Sequence, residues 1–278
     1  MKRLFTFGCS FTNYRWPTWA DIVGQSFDYY ENWGASGSGN YSISTRLMEC
    51  NHINNINEND VVLIMTTSIP RLDYYTGHEW SRNGNIFNWI KTDWEKQWFQ
   101  EHWSLLFAYY QTWVAIKQIK LLLENIGCEY KITKAFDITG EHMEDMTIGS
   151  PNEYNLGLPS EFIEMYNSDM EKYFDEKESM QSFASEARKN IFKKNSVYKF
   201  PHKNEDQDWV DYHPTILQHE LWCRKKLPEY YTNMVDLKLL DSCVLQHLNF
   251  TLHEIFDYEK AKPFTKNLPK FSYLRHQH

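Results

Sequence analysis

The chain of 278 residues has no CxxC pair, no apolar run approaching a membrane span, and fewer basic than acidic side chains. Each shortage excludes something. The five cysteines, Cys9, Cys50, Cys128, Cys223 and Cys243, are odd in number and widely spaced. That argues against a disulfide framework or a zinc ribbon and is how reduced thiols are used, so the expected compartment is the cytoplasm. A spanning helix needs roughly 20 consecutive apolar residues, and none is present, so no membrane partner is expected. Lys and Arg number 29 against 37 Asp and Glu, a net charge of −8. Nucleic-acid binding is therefore not expected, because it needs cations concentrated against phosphate. The opening MKRLFTFGCSF has two basic residues but only a short, interrupted apolar stretch and no small-residue cleavage site, so a signal peptide is not expected.

What is abundant is aromatic surface. Phe, Trp and Tyr make up 17% of the chain, including eleven Trp, and apolar residues 42%. A large core can be buried, and a disordered chain is excluded. The first 70 residues alternate between strand and helix patterns. RLFTF (3–7) reads as a strand ending at Gly8, and 18–27 as a helix with Thr18 as N-cap and Asp21 in the capping-box position. DYYENWG reads as a second strand, and a Gly/Ser loop leads to a helix over about 41–54. VVLIMTTS is aliphatic without a break, as in a strand covered on both faces. β-α-β-α-β with short connections implies a parallel sheet with helices on its faces.

Beyond it, 70–103 is less regular and Trp-rich, read as an insertion or lid. A long helix follows over 104–124 with Gly127 as its stop, then a strand over 128–138 and a helical insertion over 139–200. A last helix runs from Thr215 to about Tyr230. A main domain over 1–228 with a C-terminal extension over 229–278 is the expected organisation.

Three clusters could carry chemistry. Gly8-Cys9-Ser10-Phe11-Thr12 follows the first strand, where open α/β sheets place their ligands. Ser10 is the candidate nucleophile; Cys9, its rival, should point the opposite way, into the core. Asn32 to Gly39 (NWGASGSG) is a glycine-rich loop whose backbone N–H groups can approach a ligand. It lacks the spacing of a phosphate loop, which would follow the first strand, and has no G-K-[ST]. Asp211-Tyr212-His213-Pro214 precedes the last helix. In extended chain, residues two apart face the same way, so Asp211 can orient the His213 ring. A metal held by Asp211, His213 and His219 would need a further strong ligand that the sequence does not supply.

Together, in order and spacing, these blocks resemble the SGNH (GDSL-like) hydrolase family. Phe7 to Thr12 matches the nucleophile block, Asn32…Gly37 the N-x-x-x-x-G block, and the Asp211/His213 region the acid-base block. The resemblance covers about residues 2–75 and 205–228. It implies a flavodoxin-like three-layer α/β/α sandwich and a serine esterase or acylhydrolase with Ser10 as nucleophile, His213 as base and Asp211 as acid. The Gly37 N–H would serve the oxyanion, no cofactor or metal would be needed, and a small-molecule or glycan ester would be the substrate.

The chain departs from the family in three places. Cys9 replaces the usual Asp before the serine. The G-x-N-D block is absent, and Thr66-Thr67-Ser68-Ile69-Pro70-Arg71 stands in its place. There Ser68 or Thr67 could donate by hydroxyl, or Arg71 could supply a charge. The D-x-H spacing is one residue short, with Asp208 as the alternative acid. The leading expectation is hydrolysis of short acyl esters, with carbohydrate O-acetyl groups foremost. An acyltransferase using the same triad and an inactive binding module are the alternatives.

Overall fold

Strand β1 (Arg3–Phe7) shows how the chain sorts its side chains: Leu4 enters one apolar layer, while Phe5 and Phe7 enter the other. Strand β3 (Val61–Thr66) repeats the pattern, with Val61, Leu63 and Met65 on the first face and Val62 and Ile64 on the second. Period-two alternation with apolar residues at both phases is what a strand covered on both faces requires. A computed structural model of the chain describes residues 2–14, 16–75, 80–85, 97, 101–102, 104–138, 159–174, 178–190, 197–200 and 209–231.

With β2 (Tyr29–Asn32) and β6 (Glu129–Lys134), these strands form a four-stranded parallel sheet in the order β2-β1-β3-β6. Helix α1 (Trp19–Gly24) lies on the Leu4 face, joined there by α5 (Met180–Asn190) and α6 (Ile216–Lys226). Helices α2 (Asn40–Asn54) and α3 (Leu105–Ile126) cover the Phe5 face. This is the expected three-layer α/β sandwich. Helix α4 (Ser160–Met170) packs with the N-terminal half of α3 around Tyr109 and Tyr166. Two antiparallel pairs stand apart from the main sheet: β4 (Arg71–Tyr75) with β5 (Trp80–Asn85), and β7 (Tyr198–Phe200) with β8 (Trp209–Asp211). The last helix was expected to reach about Tyr230 but ends at Lys226. Pro228 has no N–H to continue it, and a 3₁₀ turn over Pro228–Tyr230 follows.

Since β2 and β3 flank β1 on opposite sides, the chain changes direction across the sheet at the carboxyl end of β1. In open α/β sheets that crevice is the ligand site. Among the described residues, no helix is long and apolar enough to cross a membrane.

Candidate active site

The turn after β1 is built on space that only glycine leaves. A Cβ on Gly8 would lie 2.0 Å from Thr12 Oγ1 and 2.9 Å from the Met65 carbonyl oxygen. With the chain so close to β3, the Thr12 and Asn13 N–H groups both donate to the Cys9 carbonyl, at 2.9 and 3.1 Å, closing a tight turn around Ser10. Cys9 is fully buried in the core layer beneath α1, facing away from the Ser10 side chain as alternation predicts.

A buried polar frame holds the turn. The Thr12 carbonyl accepts from Thr18 Oγ1 at 2.5 Å and Asn32 Nδ2 at 2.8 Å. Thr18, Tyr30 and Asn32 all donate to the Asp21 carboxylate. Burial pushes the Asp21 pKa up, and these donors only partly offset it. Asn32, at the head of the glycine-rich block, is thus a fastener between loops.

His213 reaches Ser10 from the other end of the sequence. Its Nε2 lies 2.9 Å from Ser10 Oγ and its Nδ1 2.7 Å from Asp211 Oδ1, which also accepts the His213 backbone N–H at 2.9 Å. An ionised carboxylate only accepts, so Nδ1 carries the proton and Nε2 is left to accept from the serine hydroxyl. Burial raises the Asp211 pKa, but hydrogen bonds from His213 and Tyr14 outweigh it, and the group stays below its ordinary value and ionised. The D-x-H spacing works because β8 ends at Asp211 and the chain turns there, folding the carboxylate back onto the imidazole. Asp208, the alternative acid, lies outside the described residues.

Two contacts bind this block to the nucleophile turn. Trp16 Nε1 donates to the Pro214 carbonyl at 2.9 Å, and Tyr14 donates through its hydroxyl to Asp211 Oδ2 at 2.6 Å. The Tyr14 ring also stacks on His213, with centroids 3.9 Å apart and planes 19° from parallel. Phe11 meets the imidazole edge-on at 5.4 Å.

Gly37 sits in the β2–α2 turn with φ 79°, a conformation glycine favours, and the Ala35 N–H donates to the Gly8 carbonyl, tying this loop to the nucleophile turn. Ser68 is buried just past β3, its Oγ accepting from Arg71 Nε at 3.3 Å. The Thr67 N–H donates to Asn40 Oδ1 at 2.8 Å, and Asn40 Nδ2 donates to the Thr67 carbonyl at 2.9 Å. His219 is buried in α6, and desolvation, with a smaller contribution from His213, lowers its pKa to about 3. Among the described residues, no group of three or more His, Cys, Asp or Glu side chains converges as a metal site.

Sequence reasoning missed Tyr14, Asn40 and Asp73. Their roles depend on loops meeting across the fold, and no local pattern marks them. Of the aromatics read as insertion or lid, Trp89, Trp94, Trp98 and Trp103 lie outside the described residues.

No protein-family model matches the chain, and no curated protein is similar to it. Its backbone is similar to the crystal structure of protein YxiM from Bacillus subtilis, with 12% identity and a TM-score of 0.32. The match covers 67% of this chain and 45% of that one, so the chain spans under half the length of that neighbour.

Proposed function

We propose that the chain is a serine ester hydrolase acting on short acyl esters, with carbohydrate O-acetyl groups the foremost substrate class. The observation that carries this reading is the unbroken relay Ser10 Oγ to His213 Nε2 at 2.9 Å and His213 Nδ1 to Asp211 at 2.7 Å. An inactive module has no need to hold three polar groups in that order. The small acyl group is supported by Ser10 being only 5% exposed.

In the reaction, Ser10 Oγ attacks the ester carbonyl as His213 Nε2 takes its proton. The imidazolium formed is stabilised by Asp211 and then protonates the departing alkoxide. The Ser10 and Gly37 N–H groups serve the oxyanion, where each donor is typically worth about 3–4 kcal/mol. Water, deprotonated by His213, cleaves the acyl-enzyme and regenerates Ser10.

A fluorophosphonate should label the wild type on Ser10, and Ser10→Ala should lose about a thousandfold or more in para-nitrophenyl acetate turnover while melting cooperatively. Labelling on Cys9, or undiminished turnover in Ser10→Ala, would sink the assignment. Acyl transfer to an added alcohol in preference to water would make the enzyme a transferase on the same triad.

A further inference from the structure

Arg71 is a half-buried cation that no carboxylate among the described residues pairs with. Its guanidinium gives one N–H to the Ser38 carbonyl at 2.9 Å and one to Ser68 Oγ at 3.3 Å, and lies 5.7 Å from the centroid of Phe136. Both acceptors are neutral, and among the described residues no Asp or Glu oxygen lies within ion-pair distance of it. The next carboxylate on its own strand, Asp73, is turned to the backbone N–H groups of Gly39 and Ser42. A guanidinium carries five donors in a planar fork matched to a carboxylate, so three N–H groups remain for a ligand. Partly desolvating such a charge with no counter-ion is costly unless a partner arrives. With 37 acidic residues in the chain, a permanent partner would have been easy to supply.

The position of Arg71 says where that ligand would lie. Ser38 follows Gly37 in the loop facing the nucleophile, and Ser68 stands at the end of β3, next to the strand that delivers Ser10. Phe136, against the guanidinium, packs at 4.9 Å on Phe11, whose ring touches His213. Arg71 is therefore on the same sheet edge as the triad, separated from the imidazole by two aromatic rings. Two of its donors are tied to the loops, and three remain for a substituent of the substrate.

We propose that Arg71 forms an anion subsite and that the ester substrate carries a carboxylate beside the scissile bond, as an acylated uronic acid or a dicarboxylic half-ester does. This rests on Ser10 being the nucleophile, and the test separates the two ideas. Two matched pairs report where the charge sits: para-nitrophenyl hemisuccinate against para-nitrophenyl acetate for the acyl side, and acetylated methyl glucuronoside against acetylated methyl glucoside for the alcohol side. In one pair the charged member should have a kcat/KM about tenfold or more higher, a preference that shrinks with salt. Arg71→Gln should bring that ratio close to one, and Arg71→Lys should keep part of it.

Equal wild-type efficiency within both pairs overturns the proposal. So does an equal loss on both members in Arg71→Gln, which would make Arg71 an oxyanion donor or a strut. Binding is read without turnover by titrating methyl glucuronoside and succinate into Ser10→Ala. Heat from either that vanishes when Arg71→Gln is added to that variant and survives in part with Arg71→Lys supports the subsite even if no ester is cleaved; no heat from either, or heat unchanged by Arg71→Gln, contradicts it. If the wild type is not labelled by fluorophosphonate, the hydrolase reading has failed, and this binding result stands by itself.

Discussion

At the scale of single residues, the least expected contributor is Tyr14, a positioning residue that touches both partners of Ser10. Its hydroxyl holds Asp211 Oδ2 at 2.6 Å, and its ring faces the imidazole at 3.9 Å, where the imidazolium of the reaction would meet the negative face of the aromatic ring. Tyr14→Phe keeps the stack and drops the hydrogen bond. The Asp211 carboxylate, relieved of one donor, then accepts the His213 proton more strongly, so the acid limb of kcat/KM should move to higher pH while kcat falls about tenfold or less. Tyr14→Leu removes both contacts and should cost more in kcat than Tyr14→Phe. A pH profile that stays put in Tyr14→Phe, with only thermal stability reduced, would make the residue a strut alone. The sequence marked Ser10, His213 and Asp211 because each sits in a local pattern tied to a strand end. Tyr14 is four residues from Ser10 and 197 from Asp211 along the chain, and only the closed fold brings these together.

At the scale of elements, the start of α2 decides whether the glycine-rich loop keeps its shape. The glycines of NWGASGSG announced a turn and a helix after it, but the N-cap residue, Gly39, has no side chain to cap that helix. Asp73, on β4, does so from outside, accepting from Gly39 N at 2.8 Å and from Ser42 N at 2.9 Å. A carboxylate there satisfies orphan donors and also meets the positive end of the helix dipole. Asp73→Ala should lower stability by about 1–2 kcal/mol, read from denaturant midpoints, and Asp73→Asn by less. If the Ala variant matched the wild type in stability, water would be an adequate cap. The same pattern explains which elements were legible. α1 was marked by its own Thr18 and Asp21, and the capping box is there. The cap of α2 comes from 34 residues away, so no window of sequence contains it.

For the molecule as a whole, the strongest pH lever is a group outside the catalytic relay. His219 is fully buried on α6, and desolvation, with a smaller contribution from the charge of His213, lowers its pKa to about 3. In the unfolded chain it titrates near 6.5, so below that pH the unfolded state binds a proton that the native state refuses. Its effect on stability is therefore nil above about 6.5. As pH falls from there toward 3, it removes about 1.4 kcal/mol for each pH unit and then levels off. Asp211, held below its ordinary value, pulls the same way in the more acid range, as its stabilising charge is lost on protonation through its lowered pKa. Asp21 works against both: its raised pKa means that protonation relieves a buried charge, so its own contribution grows as pH falls through its folded pKa. Between about 6.5 and 5 the carboxylates of the unfolded chain are still ionised, and the His219 slope should stand out. His219→Leu, similar in volume and without the ring nitrogen Nδ1 that finds no hydrogen-bond partner, should flatten the stability curve over that interval and leave stability at pH 8 within about 1.5 kcal/mol of wild type. Urea unfolding followed by Trp fluorescence at a series of pH values measures both slopes, and a variant as acid-sensitive as the parent between 6.5 and 5 would place the lever in some other group.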